Sequence, residues 1–409
     1  MKHKTLILAS IIAVFAVLIG FFTISLKKQK NAEIAHDVIE DTKTSTEIQQ
    51  SINFNSTWLQ ENKKAIKEIS FVESYKGNAE KATTIGRCPA YLFEGVVYIC
   101  VPDKTVVESS MDDCFKDFES LTTISGLERL DFSQVISMNS AFENSGIEIL
   151  DLAEVNLSNL INTNRAFYNC QNLNKIRFSP DLHSLRNTKW MFYNCSSLQF
   201  LSLGNSTLFL NNASHMFDNV GASTFCTIEP TFKISSVNDL SYFFYQTHLT
   251  DYQSLIDNID TSKTTDLTSM FEGAQIYEAD ISNWNTQNVK SIDRLFCDVS
   301  LSSLNVEGLN MSSLESAEDA FFQCSGISEL KLNWTSAEKM KNTKRMFAYC
   351  YGLKELDVSC FNGAEIICAD DMFYHCTALN KVKCDGFTAF SSSRMFELCD
   401  FPNFDENKV

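Results

Sequence analysis

The chain has 409 residues and a net charge of −17; 44% of its residues are hydrophobic, 32 of them Phe, and the five Pro and 14 Gly are too few for general disorder. Its first 31 residues hold five Lys and no acid, which leaves −22 on the remainder. Without a basic stripe, that balance argues against nucleic-acid binding and is the charge of a solvated surface.

Residues 5–26 are 22 consecutive positions without a charge, flanked by Lys2, Lys4, Lys27, Lys28 and Lys30. As a helix they extend about 33 Å, enough for a hydrocarbon layer about 30 Å thick. No small-residue cleavage site follows, so residues 1–30 are expected to be an uncleaved signal-anchor, with a cleaved long signal peptide as the alternative. Lysines flank both ends, so the positive-inside count does not decide orientation; the short basic N-terminal flank favours the large domain outside. The protein is then a single-pass membrane protein with an extracellular domain, or a secreted one if the segment is cleaved.

Residues 31–55 are polar and read as a linker or stalk. Ser56 or Thr57 is placed to cap a helix running to about Tyr75, with Trp58, Leu59, Ile66, Ile69 and Val72 apolar. Residues 87–102 read as a hairpin turning at Glu94 and Gly95. Together, residues 56–125 are expected to cap a repeat domain, because the end of a stacked array has to be shielded. Across the hairpin, Cys88 and Cys100 are a candidate disulfide in an exported domain; simple register sets them one position off, so pairing needs a bulge or a diagonal approach.

From residue 126 to 409 one unit is written again and again. Phe recurs at 142, 167, 192, 217, 244, 271, 296, 321, 347, 373 and 396, in steps of 23 to 27. Upstream of each Phe the apolar residues fall about three apart, as with Val289, Ile292 and Leu295, which is helical or 3₁₀ spacing. Downstream come apolar pairs two apart, such as Leu150 and Leu152, Leu201 and Leu203, or Leu356 and Val358, which is strand spacing. Such a unit buries its apolar side only by stacking on copies of itself. Between Cys226 and Ser254 the spacing fails around Pro230, so distorted middle rungs are expected there.

The segments at 191–203 (MFYNCSSLQFLSL), 280–296 (DISNWNTQNVKSIDRLF) and 346–358 (MFAYCYGLKELDV) resemble the BspA-like leucine-rich repeat surface proteins. The resemblance covers residues 126–399. It implies an α/β solenoid, a leucine-rich repeat stack of about 11–12 short-strand plus helical-turn rungs with a short C-terminal cap, set behind the N-terminal transmembrane anchor. It also implies attachment to a protein or glycan on another cell surface or matrix.

The residue between the two apolar strand positions points away from the core, which gives a candidate binding face of Asp131, Asp151, Arg177, Ser202, Asp280, Asn305, Lys331, Asp357 and Lys383. All nine are polar, and they change sign and size from rung to rung. Catalytic chemistry is not in view: there is no nucleophile elbow, zinc-protease motif, phosphate-binding loop or calcium loop. Acid pairs such as Asp112 with Asp113, Glu318 with Asp319 and Asp370 with Asp371 precede anchor Phe residues and suit the start of a helical turn. His215, His248 and His375 are surface positions of the same turns. Cys360, Cys368, Cys376 and Cys384 lie eight apart, without the short spacing of a zinc site, so neither a metal nor another cofactor is expected. The Cys that follows many of the Phe residues reads as a small buried hydrophobe. Two function classes remain: a membrane-tethered adhesin or receptor with no enzymatic activity, and a structural or self-associating envelope component without a specific ligand.

Overall fold

The recurrent Phe marks a chain of tight turns rather than a helix. The computed structural model describes residues 51–399 apart from Ser336 and Asp385. The expected membrane span at 5–26, the linker as far as residue 50 and residues 400–409 lie outside the described residues. Among those described, no helix is long and apolar enough to cross a membrane. Around Phe142, the N–H groups of Ala141, Glu143 and Ser145 donate three residues back, to Met138, Ser140 and Phe142. The alternate N–H groups, those of Ser140, Phe142 and Asn144, donate to Asn164, Ala166 and Tyr168 in the next rung. Half the donors close turns and half stitch rungs together, so every donor is used without a helix.

Two residues in each turn lie in the left-handed region, one two before the Phe and one two after it: Ser140 (φ 52) and Asn144 (φ 57), then Arg165 and Asn169, and so on to Arg394 and Leu398. A right-handed helix has no such residues. The expected helical turn is therefore corrected to a run of β-turns, whose i to i−3 bonds produce the apolar spacing of three. Asp113 (φ 57) and Asp117 (φ 59) bracket Phe115 in the same way, so the repeat geometry begins N-terminal of residue 126 and there are twelve turns, from Phe115 to Phe396. The molecule is a β-solenoid with little helix. Its anchor rings stack in one continuous column from Phe54 to Phe396, successive centroids 5.1 to 6.0 Å apart.

Residues 51–125 hold β1 (Ser51–Ile52), α1 (Thr57–Asn62), β2 (Glu68–Val72), β3 (Lys81–Ile85), β4 (Cys88–Phe93), β5 (Val96–Cys100), β6 (Thr105–Val107) and β7 (Thr123–Ser125). β1 pairs with β6 and β2 with β7, both parallel, and Phe54 sits on Phe115, so residues 51–72 form a rung in which α1 replaces the turn. The helix expected to reach Tyr75 stops at Asn62. Ile69 and Phe71 instead alternate inward in β2, where pairing with β5 and β7 on either side outweighs helical spacing. The β4–β5 hairpin turns at Glu94 (φ 50) and Gly95 (φ 91), the two positive-φ positions of a type I′ turn.

Beyond these come β8 (Leu130–Asp131), β9 (Ile149–Asp151), β10 (Lys175–Arg177), β11 (Phe200–Ser202), β12 (Thr207–Phe209), β13 (Thr227–Ile228) and β14 (Lys233–Ser235). One nine-stranded sheet runs β13-β11-β10-β9-β7-β2-β5-β4-β3. It stops where the repeat pattern fails, because α2 (Gln253–Ile256) takes the place of the next strand. The side chain of Gln253 does a strand's work there, its Nε2 donating to Asp280 O at 2.9 Å and its Oε1 accepting from Asp280 N at 2.9 Å. The remaining strands pair locally: β15 (Glu278–Asp280) with β16 (Ser303–Asn305), β17 (Glu355–Asp357) with β19 (Lys381–Lys383), and β18 (Ile366–Cys368) with β20 (Ala389–Ser391).

Candidate functional site

The strand face was expected to carry an exposed ladder. Asp151, Arg177 and Ser202 do stand in register on β9, β10 and β11, as do Asp280 with Asn305 and Asp357 with Lys383. Lys331 is exposed in the rung between. Two of the nine are corrections. Asp131 lies in β8, opposite Val106 in the separate β1-β6-β8 sheet; the strand of its rung is β7, where Ile124 alone is buried. Ser202 is 8% exposed, because a serine set in register beside Arg177 is too short to reach solvent.

The charges left on this face are largely spent on each other. Arg177 Nη1 lies 3.9 Å from Asp151 Oδ2, Lys381 Nζ 2.8 Å from Glu355, and Lys383 Nζ 2.8 Å from Asp357. Asn305 Nδ2 donates to Asp280 Oδ2 at 3.0 Å. The carboxylates of Asp131, Asp151, Asp280 and Asp357 also accept N–H groups two residues on, fixing the turn after each strand. Sign alternation from rung to rung thus serves stacking first.

A second surface comes from the turn edge, through the side chains two before and one after each anchor Phe. Arg165 donates to both Glu143 oxygens, at 3.0 and 2.8 Å, while its guanidinium carbon lies 3.9 Å from the Tyr168 ring centroid. That paired hydrogen bonding holds Glu143 at about 2, far below the usual carboxylate range. Tyr168 stacks on Tyr193 (4.6 Å, 6°), Lys189 Nζ is 4.2 Å from the Trp190 centroid, and His215 stacks on Tyr242 (4.4 Å, 7°). His215 Nδ1 is 2.8 Å from Asp218 Oδ2, whose carboxyl is pushed up by burial against the pull of the imidazole. All these rings are half-buried, so four successive rungs, those of Phe167, Phe192, Phe217 and Phe244, present a strip of aromatic edges and cations. Further along, Asp319 takes two 2.7 Å bonds from Arg345 and lies 3.4 Å from Arg294, which also grips Glu272.

The acid pairs that resembled helix starts are cross-rung ties. Asp112 Oδ1 accepts Asn139 N and Asp370 Oδ1 accepts Ser393 N, each at 2.7 Å. Between α1 and the first turn lies an open cleft of about 360 Å³ lined by Asn55, Gln60, Lys63 and Asp113; its charges are already joined, Lys63 to Asp117 and Lys116 to Asp113. No group of three metal-ligating side chains occurs among the described residues. Cys88 and Cys100 carry free thiols: Cys88 is buried on the face of Ala90 and Ile99, and Cys100 is half-buried on the opposite face with Tyr98.

Residues 96–223 and 138–265 match the family model for the BspA type leucine rich repeat region, which recurs in six copies. Residues 211–334 and 301–403 match a family described as Mycoplasma protein of unknown function, DUF285. No curated protein matches the chain. A leucine-rich repeat protein from Bacteroides ovatus ATCC 8483, known from a crystal structure, is 12% identical over 85% of this chain and 88% of its own, with a TM-score of 0.33.

Proposed function

We propose that this chain, which belongs to the BspA-type leucine-rich repeat family, is a membrane-tethered surface protein that binds a protein or glycan on another cell or matrix. The carrying observation is the turn-edge strip of Arg165, Tyr168, Trp190, Tyr193, His215 and Tyr242. Inward positions of the same turns repeat a few residue types, whereas this strip concentrates Trp, Tyr and Arg, the residues that dominate binding energy at interfaces. Its rings are held rigid by stacking, so little side-chain entropy is lost on contact. Residues 5–26 supply the tether in this reading and the polar linker the reach.

The test displays full-length protein on cells at equal density and measures adhesion to host matrix and host cells. Trp190→Asn with Tyr193→Ser is expected to abolish most adhesion while the chain still unfolds cooperatively, at a melting temperature lowered by the lost stack on Tyr168; Asn suits the left-handed backbone at 190. Exchanging Asp357→Lys with Lys383→Glu keeps that ion pair and reverses its charges, and adhesion is expected to hold. Loss with the exchange alone would move the site to the strand face, and full adhesion by both variants would refute the reading. Proteolytic shaving of intact cells, followed by peptide identification, checks that the repeats lie outside.

A further inference from the structure

The residue three after the anchor Phe is Cys at positions 170, 195, 324, 350, 376 and 399. Each thiol donates to the carbonyl of the Phe one rung back: Cys170 to Phe142 at 2.9 Å, Cys195 to Phe167 at 3.2 Å, Cys376 to Phe347 at 3.0 Å and Cys399 to Phe373 at 2.9 Å. Sharing that acceptor geometry, sulfurs in consecutive rungs occupy one slot repeated along the stack. Neighbouring strands lie about 4.8 Å apart, inside the roughly 4.4–6.8 Å between Cα atoms that a disulfide spans.

Access separates these pairs. Cys170, Cys195, Cys324, Cys350 and Cys376 are buried, and burial pushes the Cys170 and Cys350 thiols up to about 12. Such thiols are neither ionised nor within reach of an oxidant. Cys399 is half-buried and holds the place in the slot one rung on from Cys376, each sulfur on the carbonyl of the Phe one rung back; the interaction between the two thiols holds Cys399 below the ordinary thiol value while it pushes Cys376 up. We propose that Cys376 and Cys399 are an oxidisable pair that closes to an intrachain disulfide and locks the last two of the twelve turns together.

The oxidant is a disulfide of the glutathione class. Cys399 thiolate attacks one glutathione sulfur, forming a mixed disulfide and expelling one glutathione thiolate, which takes up a proton. The Cys376 thiol gives up its proton and attacks the Cys399 sulfur, expelling the second glutathione. Two protein thiols are oxidised, and one oxidised glutathione is reduced to two thiols. The Cys376 sulfur occupies the adjoining place in the same slot, one rung back from Cys399, so the second step needs only that the two sulfurs leave their carbonyl acceptors.

Folded full-length protein is treated with oxidised glutathione at pH 8, its free thiols are alkylated after denaturation, and tryptic peptides are identified before and after reduction. The expected result is one linkage, joining the Cys376 peptide to the Cys399 peptide, with Cys170 and Cys195 still alkylated. Cys399→Ser is expected to abolish the linkage, and parent protein is expected to melt at a higher temperature oxidised than reduced. Alkylation of both thiols, a glutathione adduct that persists on Cys399, or a linkage from Cys399 to Cys384 would each overturn the proposal. Parent protein alone gives the decisive readout, so the proposal stands or falls even if a serine variant fails to fold.

Discussion

Replacing Phe192 by Ala removes one ring from the middle of the aromatic column. Phe192 is fully buried, with Phe167 at 5.5 Å and 8° on one side and Phe217 at 6.0 Å and 7° on the other. Truncating a buried Phe costs about 3–5 kcal/mol through lost transfer energy and the cavity left behind. Two stacked pairs are lost as well, each about 0.5–1.5 kcal/mol beyond its area, which sets the expectation near 5 kcal/mol. Phe396 is half-buried and stacks on Phe373 at 5.1 Å in the last of the twelve turns, so Phe396→Ala is expected to cost only about 2 kcal/mol. Urea unfolding followed by circular dichroism measures both. Repeat arrays can lose cooperativity, so the slope of each transition is compared first. Amide exchange then locates the damage: the N–H groups of Phe167 and Phe192, which donate to Met191 and Met216 across the rungs, should exchange faster in Phe192→Ala and be unchanged in Phe396→Ala. Equal losses at the two positions, or under about 2 kcal/mol at Phe192, would refute a column stabilised by nearest-neighbour stacking.

Three further outcomes follow from the turn edge and the strand face. Asn169 (φ 59) donates to Asn144 Oδ1 at 2.9 Å and accepts Asn194 Nδ2 at 2.6 Å, so Asn169→Ala should cost about 2–3 kcal/mol and Asn169→Gly about 1 kcal/mol less, since both lose the bonds but only Ala is strained there; equal melting of the two would count against the backbone argument. Glu143 is held near 2 against an ordinary value of 4.5, so its contribution is complete above pH 4.5 and fades as pH falls from about 4.5 toward 2; in acid titrations of stability Glu143→Gln should lose less than the parent across that window, and parallel curves would disprove it. Lys381→Ala removes an exposed pair with Glu355 and should leave the melting temperature close to the parent's, any small difference vanishing in high salt; a clear loss that persists in salt would mean the strand-face pairs do more than stitch solvated rungs.

Which parts of this architecture can be read from sequence depends on which physical constraint leaves a residue-level trace. The anchor Phe leaves one because a ring in a continuous column accepts almost no substitute, and Met, Cys and Leu around it repeat for the same reason of fixed volume. The spacing of the turn reads as helical because i to i−3 hydrogen bonds set buried residues three apart in a 3₁₀ helix and in a chain of β-turns alike. The left-handed residues separate the two, and the column two after the Phe shows the stronger preference: Asp117, Asn144, Asn169, Asn194, Asn219, Gly273 and Asp298 are types that tolerate positive φ, against Asp113, Asp319 and Asp371 in the column two before. In the middle rungs that second column holds Arg165, Trp190, His215 and Tyr242, residues chosen for their side chains, so the strain there is overridden by packing.

The same asymmetry explains what happened to the candidate site. Apolar residues two apart define a strand face only when a third constraint says which strand, and Leu130 with Phe132 satisfied the pattern one wall away from β7, carrying Asp131 with it. Side-chain length hid Ser202 in the same way, since period two fixes direction and not reach. The aromatic strip is not legible in the sequence because it belongs to no period along the chain. It appears only in columns, two before and one after each Phe, and those columns are neighbours only when the turns are known to stack. Tyr168 and Tyr193 are 25 residues apart in sequence and 4.6 Å apart in space. In a solenoid, what is invariant down a column is the fold, and what changes down an exposed column is free to be selected for a partner. The strand-face column changes in sign while pairing with itself, so its variation is already accounted for by stacking. The turn-edge column from Arg165 to Tyr242 spends only part of its side-chain surface on neighbours, and the remainder faces solvent as ring edges that stacking does not require.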